Sequence, residues 1–304
     1  MNAPTTLSAA RRTVTRVASR ALSSRAATVA VRAAYSRSTA MPLERTEHRC
    51  VPGTVIGAAD VAPWLRRLTL HVPGLRGYEV QAPDEYVGLV MPRPGTTLPD
   101  LSSITGPHPR PVLATMPEED RPDVRWYTVS DWRPQTAELD VEVVLHPEGE
   151  VDEGPGATWV RAAAPGDAVA VQTGTACYHQ PADARVQVVA GDETAYPSIA
   201  GIIEAARGTD RELHVFLELA RADALPALPQ PERGSLTLVD RVQTPGEALL
   251  VAVRAADLPA VDYGWVCGEQ QLAAGVRKHL VGERGLGRTD VYFCAYWILG
   301  RARG

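Results

Sequence analysis

The run Arg125-Trp126-Tyr127-Thr128-Val129 has residue types that could hold a flavin nucleotide. In an extended strand Arg125 and Tyr127 share one face and Thr128 takes the other. A guanidinium suits a phosphate, an aromatic ring suits the isoalloxazine or ribityl chain, and a hydroxyl or amide suits the flavin N5. An ordinary edge strand would carry so short a pattern too. A second segment adds to it. His146 closes the next long strand, and Gly154-Pro155-Gly156-Ala157-Thr158-Trp159-Val160 then reads as a turn opening a short helix. Small residues there let backbone N–H groups approach a phosphate, and a helix N-terminus adds a positive dipole end.

Two more segments read as strand, turn and helix: Gly191-Asp192-Glu193-Thr194-Ala195-Tyr196-Pro197-Ser198 and Trp265-Val266-Cys267-Gly268-Glu269. In an open α/β sheet nucleotides bind where such strands end and helices begin. The first is neither a G-x-G-x-x-G fingerprint nor a P-loop, and Asp192 or Thr194 could simply cap a helix. Near the C-terminus, Tyr296 and Trp297 could cover a flavin or nicotinamide face, or close the core.

The elements that must position these residues fall into two groups. Between about 51 and 173, short β-like runs (67–72, 86–91, 126–129, 139–145, 168–171) are separated by Pro/Gly clusters, which argues for an antiparallel sandwich or barrel. Residues 92–123 are Pro-rich and read as a long loop. After about 180, strands at 186–190, 213–219, 235–239, 263–267 and 290–294 alternate with helical runs, as in a parallel α/β sheet.

Composition limits the function classes. The 304 residues suggest two domains. The net charge of −5 is unevenly placed: residues 1–40 hold seven Arg and no acid, leaving 24 basic and 36 acidic groups beyond them. A nucleic-acid binder is disfavoured, and no run approaches a membrane-spanning length. The segment 1–44 reads as a disordered basic tail, either a targeting peptide or an extension ahead of Met41. Cys50, Cys177, Cys267 and Cys294 have no zinc-like spacing and read as reduced thiols.

Taken in order, the motifs resemble the siderophore-interacting, FAD-binding proteins of the ferredoxin-reductase-like superfamily. The family pattern runs R-x-Y-T-x-R, H-G with G-P-A-x-x-W-A, G-D-E-T-A-x-P-A-I, W-V-A-G-E and G-Y-W-R-x-G. Here it stands as R-W-Y-T-V-S, H-P-E-G with G-P-G-A-T-W-V, G-D-E-T-A-Y-P-S-I, W-V-C-G-E and A-Y-W-I-L-G. The resemblance covers about residues 45–304. It implies an N-terminal antiparallel six-stranded β-barrel for FAD over 45–180, followed by a parallel α/β domain for NAD(P)H over 181–304. It further implies a cytoplasmic reductase of ferric siderophores that releases Fe(II). Charge, hydropathy and Cys/His spacing add the expectation of no nucleic acid, no membrane insertion and no protein-bound metal, and a monomer is expected.

By the same resemblance FAD would be held by Arg125, Tyr127, Thr128, Val129, His146 and the backbone of Gly156, Ala157 and Thr158. The nicotinamide nucleotide would meet Asp192, Glu193, Thr194, Cys267, Gly268 and Glu269, with Tyr296 and Trp297 bordering the flavin. No catalytic side chain is implied, because the cofactor carries the chemistry. The chain departs from the pattern at Ser130, Pro147, Ala295 and Ile298. Ser130 stands where the family has a second Arg, so restoring Arg there is expected to tighten flavin. Arg221 and Arg241 are candidates for a 2′-phosphate. Two rival readings stay open: a flavin reductase or electron-transfer oxidoreductase with another acceptor, and a non-redox binder of siderophore or partner.

Overall fold

A computed structural model of the protein describes residues 39–43, 45–145, 154–220 and 226–301. Six antiparallel strands, β1 (Cys50–Ala62), β2 (Leu65–His71), β3 (Tyr86–Met91), β4 (Asp123–Arg133), β5 (Glu138–Val144) and β6 (Ala168–Thr173), close a barrel. Their order around it is β1-β2-β5-β4-β3-β6. Side-chain alternation explains the closure: Leu139, Val141 and Val143 of β5 join the barrel core, while Asp140 and Glu142 face outward. The Pro-rich segment 92–123 contains one helical turn, α1 (Arg110–Leu113). It packs Leu101, Ile104 and Leu113 against Val90, Val124 and Ala170 outside the barrel. Helix α2 (Pro155–Ala162) lies against β2, β4 and β5 and sends Val160 into the barrel core.

The second unit is a five-stranded parallel sheet in the order β11-β10-β7-β8-β9. Its strands are β7 (Val186–Asp192), β8 (Glu212–Leu219), β9 (Gly234–Asp240), β10 (Tyr263–Glu269) and β11 (Val291–Trp297). Alternate residues serve opposite faces. Val189, Val215 and Trp265 pack with Ile199 and Ile202 of α3 (Tyr196–Ala206). Val188, Phe216 and Val266 pack with α4 (Glu247–Ala255) and α5 (Gln270–Gly282). Both faces are covered, which is why these strands read as apolar runs. Strand order reverses between β7 and β10, the topological switch point where such sheets bind ligands.

Asp84 holds the two units together. Its Oδ1 accepts from the N–H groups of Cys177 (2.9 Å) and Tyr178 (2.8 Å), and its Oδ2 from Trp265 Nε1 of β10 (2.8 Å). Burial raises the Asp84 carboxyl above its ordinary range.

Two expectations are corrected. The sequence reads as a tail over 1–44, but Thr39 and Ala40 are buried. The Thr39 hydroxyl (2.8 Å) and Ala40 N–H (3.1 Å) both donate to Val291 O, giving the outer edge of β11 partners it would otherwise lack. The last strand also runs on through Trp297, so the terminal aromatic pair is part of the sheet.

Candidate functional site

Arg125 and Tyr127 sit on β4 opposite Leu89 and Val87 of β3. The helix that follows thirty residues later brings its first turn onto them. Gly154 is the extended N-cap of α2 and Pro155 fills the first helical position, where no N–H is needed. A Cβ on Gly156 would lie 2.4 Å from Tyr127 Oη and 2.6 Å from Arg125 Cγ, so only glycine fits this approach. The first turn leaves the Gly156 and Ala157 amides open beside the Arg125 guanidinium, whereas the Thr158 N–H donates to Gly154 O (3.2 Å), which removes the Thr158 backbone from the expected flavin set. Arg125 Nη1 donates to Val124 O at 2.7 Å. A guanidinium beside a helix N-terminus, with an aromatic wall, fits the phosphates of FAD. Burial pushes the Tyr127 phenol well above its usual range, so it stays neutral. Val129 is part of the barrel core and precedes a bulge before Asp131. His146 lies outside the described residues.

Thr128 faces away from this cradle. Its hydroxyl shares a 2.8 Å hydrogen bond with Ser198 Oγ on α3, and Ser198 Oγ is 3.4 Å from Tyr296 Oη on β11. One side-chain string thus runs from the barrel across the helix to the C-terminal strand. Thr128→Val, which keeps the shape and removes the hydroxyl, is expected to cost about 0.5–1.5 kcal/mol in urea unfolding. An unchanged midpoint would show that the string carries no stability.

At the switch point the predicted residues converge, and most carboxylates turn inward. Buried Asp192 accepts at Oδ1 from Thr194 N–H (3.0 Å) and Thr194 Oγ1 (2.5 Å). Its Oδ2 accepts from Glu269 N–H (2.7 Å) and Trp297 Nε1 (2.8 Å). Glu269 caps α5, accepting from Gln271 and Leu272 N–H at Oε2, and it also takes Leu299 N–H at Oε1 (3.2 Å). Glu193 pairs with both Nη atoms of Arg241 (2.8 and 2.5 Å). Arg241 Nε also meets Glu218 (3.2 Å), whose carboxylate accepts Gly246 N–H. Gly268 has φ +140, and a Cβ there would lie 2.6 Å from Asp192 Oδ2. The Cys267 side chain belongs to the core, its thiol pushed up by burial. The side-chain oxygens of Asp192, Glu193 and Glu269 are thus committed within the protein.

Three residues escaped the sequence reading of the site: Ser198, Asp84 and Glu218. Ser198 stood within the G-D-E-T-A-Y-P-S run, so its position was visible but its partner was not. Arg241 is spent on Glu193 and Glu218, which removes it as a ready 2′-phosphate ligand; Arg221 lies outside the described residues. Ser130 is corrected as well: it follows Thr128 on the strand face opposite Arg125 and lines a space with Asp140 and Glu142. An arginine there would meet carboxylates rather than the start of α2.

Comparison with known proteins agrees with this geometry. A family model described as the siderophore-interacting FAD-binding domain matches residues 54–175, and one described as siderophore-interacting protein matches 184–300. The ferric vibriobactin reductase ViuB of Vibrio cholerae is 30% identical over 60% of this chain and 67% of its own length. The chain belongs to the siderophore-interacting protein family. The siderophore-interacting protein SipS from Aeromonas hydrophila superposes with a TM-score of 0.66 at 27% identity, covering 84% of this chain and 94% of that one. The mycobactin import ATP-binding/permease protein IrtA of Mycolicibacterium smegmatis is 29% identical over 83% of this chain. The chain spans about a quarter, 26%, of that relative's length. No described helix is long and apolar enough to cross a membrane. The flavoprotein family and the ferredoxin-reductase-like fold are those the motifs implied.

Proposed function

We propose that this protein is a cytoplasmic, FAD-dependent reductase that takes electrons from NADH or NADPH and delivers them to ferric siderophores. The observation that carries this reading is the Thr128–Ser198–Tyr296 string, which joins the flavin-type strand to the α/β unit beside its switch point. Bound FAD supplies the conversion of two-electron hydride uptake into single-electron release. Arg125 and the first-turn amides of Gly156 and Ala157 would hold its phosphates, and Tyr127 would wall its ribityl or ring portion. Thr128 holds a hydroxyl between the two units, and its link to Ser198 fixes where that hydroxyl points. Asp192 sets the turns after β7 and β10 and anchors Trp297, so a nicotinamide nucleotide would meet these turns in one fixed arrangement. The name of the Vibrio cholerae relative, a ferric vibriobactin reductase, supports the class of acceptor.

The test is trapped Fe(II) formation by FAD-loaded protein, with NADH or NADPH and a ferric hydroxamate or catecholate chelate. Fe(II) above a no-enzyme control is expected with at least one combination. No Fe(II) with any of them, from protein shown to hold FAD, would leave the other-acceptor and non-redox readings.

A further inference from the structure

Three of the four cysteines gather at one place. Cys267 of β10 and Cys294 of β11 stand directly opposite each other in the parallel ladder. Both side chains take the sheet face covered by α3, where Cys267 joins the core with Tyr263 and Trp265 and Cys294 packs against it. Cys177, on the segment between β6 and β7, enters the same core, and Tyr292 holds its thiol. Cys50 lies apart, outside the barrel with Val90 and Ala170.

Register singles out one pair. Neighbouring strands lie about 4.7–4.9 Å apart, inside the window of about 4.4–6.8 Å that a disulfide asks of its Cα atoms. The ladder also loosens directly after the pair: its register shifts between Gly268 and Glu269, and Gly268 has φ +140. The two thiols differ in access. Cys267 is fully buried, whereas Cys294 is half-buried. Burial pushes the Cys267 and Cys177 thiols well above their usual range, so neither is the first to meet an oxidant. The turn after β10 does not itself demand a thiol, since the family pattern W-V-A-G-E has alanine where this chain has Cys267.

We propose that Cys267 and Cys294 form a reversible disulfide when the protein meets hydrogen peroxide. The Cys294 sulfur attacks the O–O bond and becomes a sulfenic acid, and one water leaves. The Cys267 sulfur then attacks the Cys294 sulfur, and its proton departs with the sulfenic hydroxyl as a second water. Two thiols are oxidised and one peroxide is reduced. A dithiol reverses the bridge by exchange. The bridge would tie β10 to β11 one residue before Gly268 and two before Tyr296, next to the strand ends that Asp192 holds through Glu269 N–H and Trp297 Nε1. This pair does not depend on the reductase reading.

The test treats FAD-loaded protein with a small excess of hydrogen peroxide under native conditions. The remaining thiols are then alkylated in acidic denaturant and the peptides mapped by mass spectrometry. A peptide joining Cys267 to Cys294 within one chain is expected, lost on addition of dithiothreitol, with Cys50 and Cys177 still alkylated. Cys177→Ala is expected to leave the bridge in place. Cys267→Ala, a residue the family carries there, is expected to abolish the bridge and raise dimedone labelling of Cys294 about fivefold or more, because the sulfenic acid then has no thiol to resolve it. Cys294→Ser is expected to abolish both the bridge and the labelling. Folded protein whose thiols all survive the peroxide overturns the proposal. So does a bridge that uses Cys177 or joins two chains, oxidation of Cys294 to a sulfinic acid without a bridge, or a bridge that forms only in urea.

Discussion

Arg125→Ala is expected to weaken FAD binding about ten- to hundredfold, a loss of about 1.5–3 kcal/mol from one charge-assisted contact. The expectation follows from the fit of α2 onto β4. Gly156 approaches Arg125 and Tyr127 so closely that no side chain could intervene, which puts the guanidinium beside the open amides of the helix start. Two sources of positive potential would then face one phosphate group of bound FAD. Arg125→Lys keeps the charge but loses the planar fork, so partial recovery is expected. Ser130→Arg is expected to leave flavin affinity unchanged, since residue 130 lines a space with Asp140 and Glu142. Flavin fluorescence quenching, titrated at two salt concentrations, measures all three variants. An Arg125→Ala protein that binds FAD as tightly as the wild type would remove the strand from the flavin site.

These contrasts mark what the sequence made legible. The strand–turn–helix junctions after β7 and β10 were visible because apolar runs end there in Gly, Asp and Glu ahead of helical periodicity. Their meeting at one switch point followed from the alternation of strands and helices. Strand β1 was not visible: Val51-Pro52-Gly53-Thr54-Val55-Ile56-Gly57-Ala58-Ala59 is rich in weak strand formers. It is a strand because β2 and β6 pair with both of its edges, a non-local reason. The direction of side chains at strand ends was equally hidden. Asp192, Glu193 and Glu269 look like ligands for a nucleotide in one dimension, yet their oxygens are committed to N–H groups and Arg241. Their partners lie 2 to 105 residues away along the chain, and spacing alone carries no record of that.

Arg241→Met is expected to destabilise the folded protein by about 3–5 kcal/mol near neutral pH, because it strands two buried carboxylates. Glu193 and Glu218 both give oxygens to this one guanidinium, and Asp192 adds negative charge beside it. In the wild type, burial and then Asp192 already raise the Glu193 carboxyl, while Arg241 pulls it back down. A carboxyl whose folded pKa lies above its unfolded value contributes stability that is fully present below the unfolded value and is lost as pH rises through the folded one. Removing the cation takes away what holds the Glu193 carboxyl down, so its folded value rises further. The loss should therefore be greatest at neutral pH and shrink on acidification toward about pH 5, where the stranded Glu193 takes up a proton that the unfolded chain holds less tightly. Adding Glu193→Gln and Glu218→Gln to Arg241→Met should recover part of the loss and flatten its pH dependence. Urea unfolding of the wild type, the single variant and the triple variant at both pH values separates these terms. A single variant within about 1 kcal/mol of wild type, or one whose deficit does not change with pH, would mean that the cluster is hydrated in solution and that Arg241 is free to meet a phosphate after all.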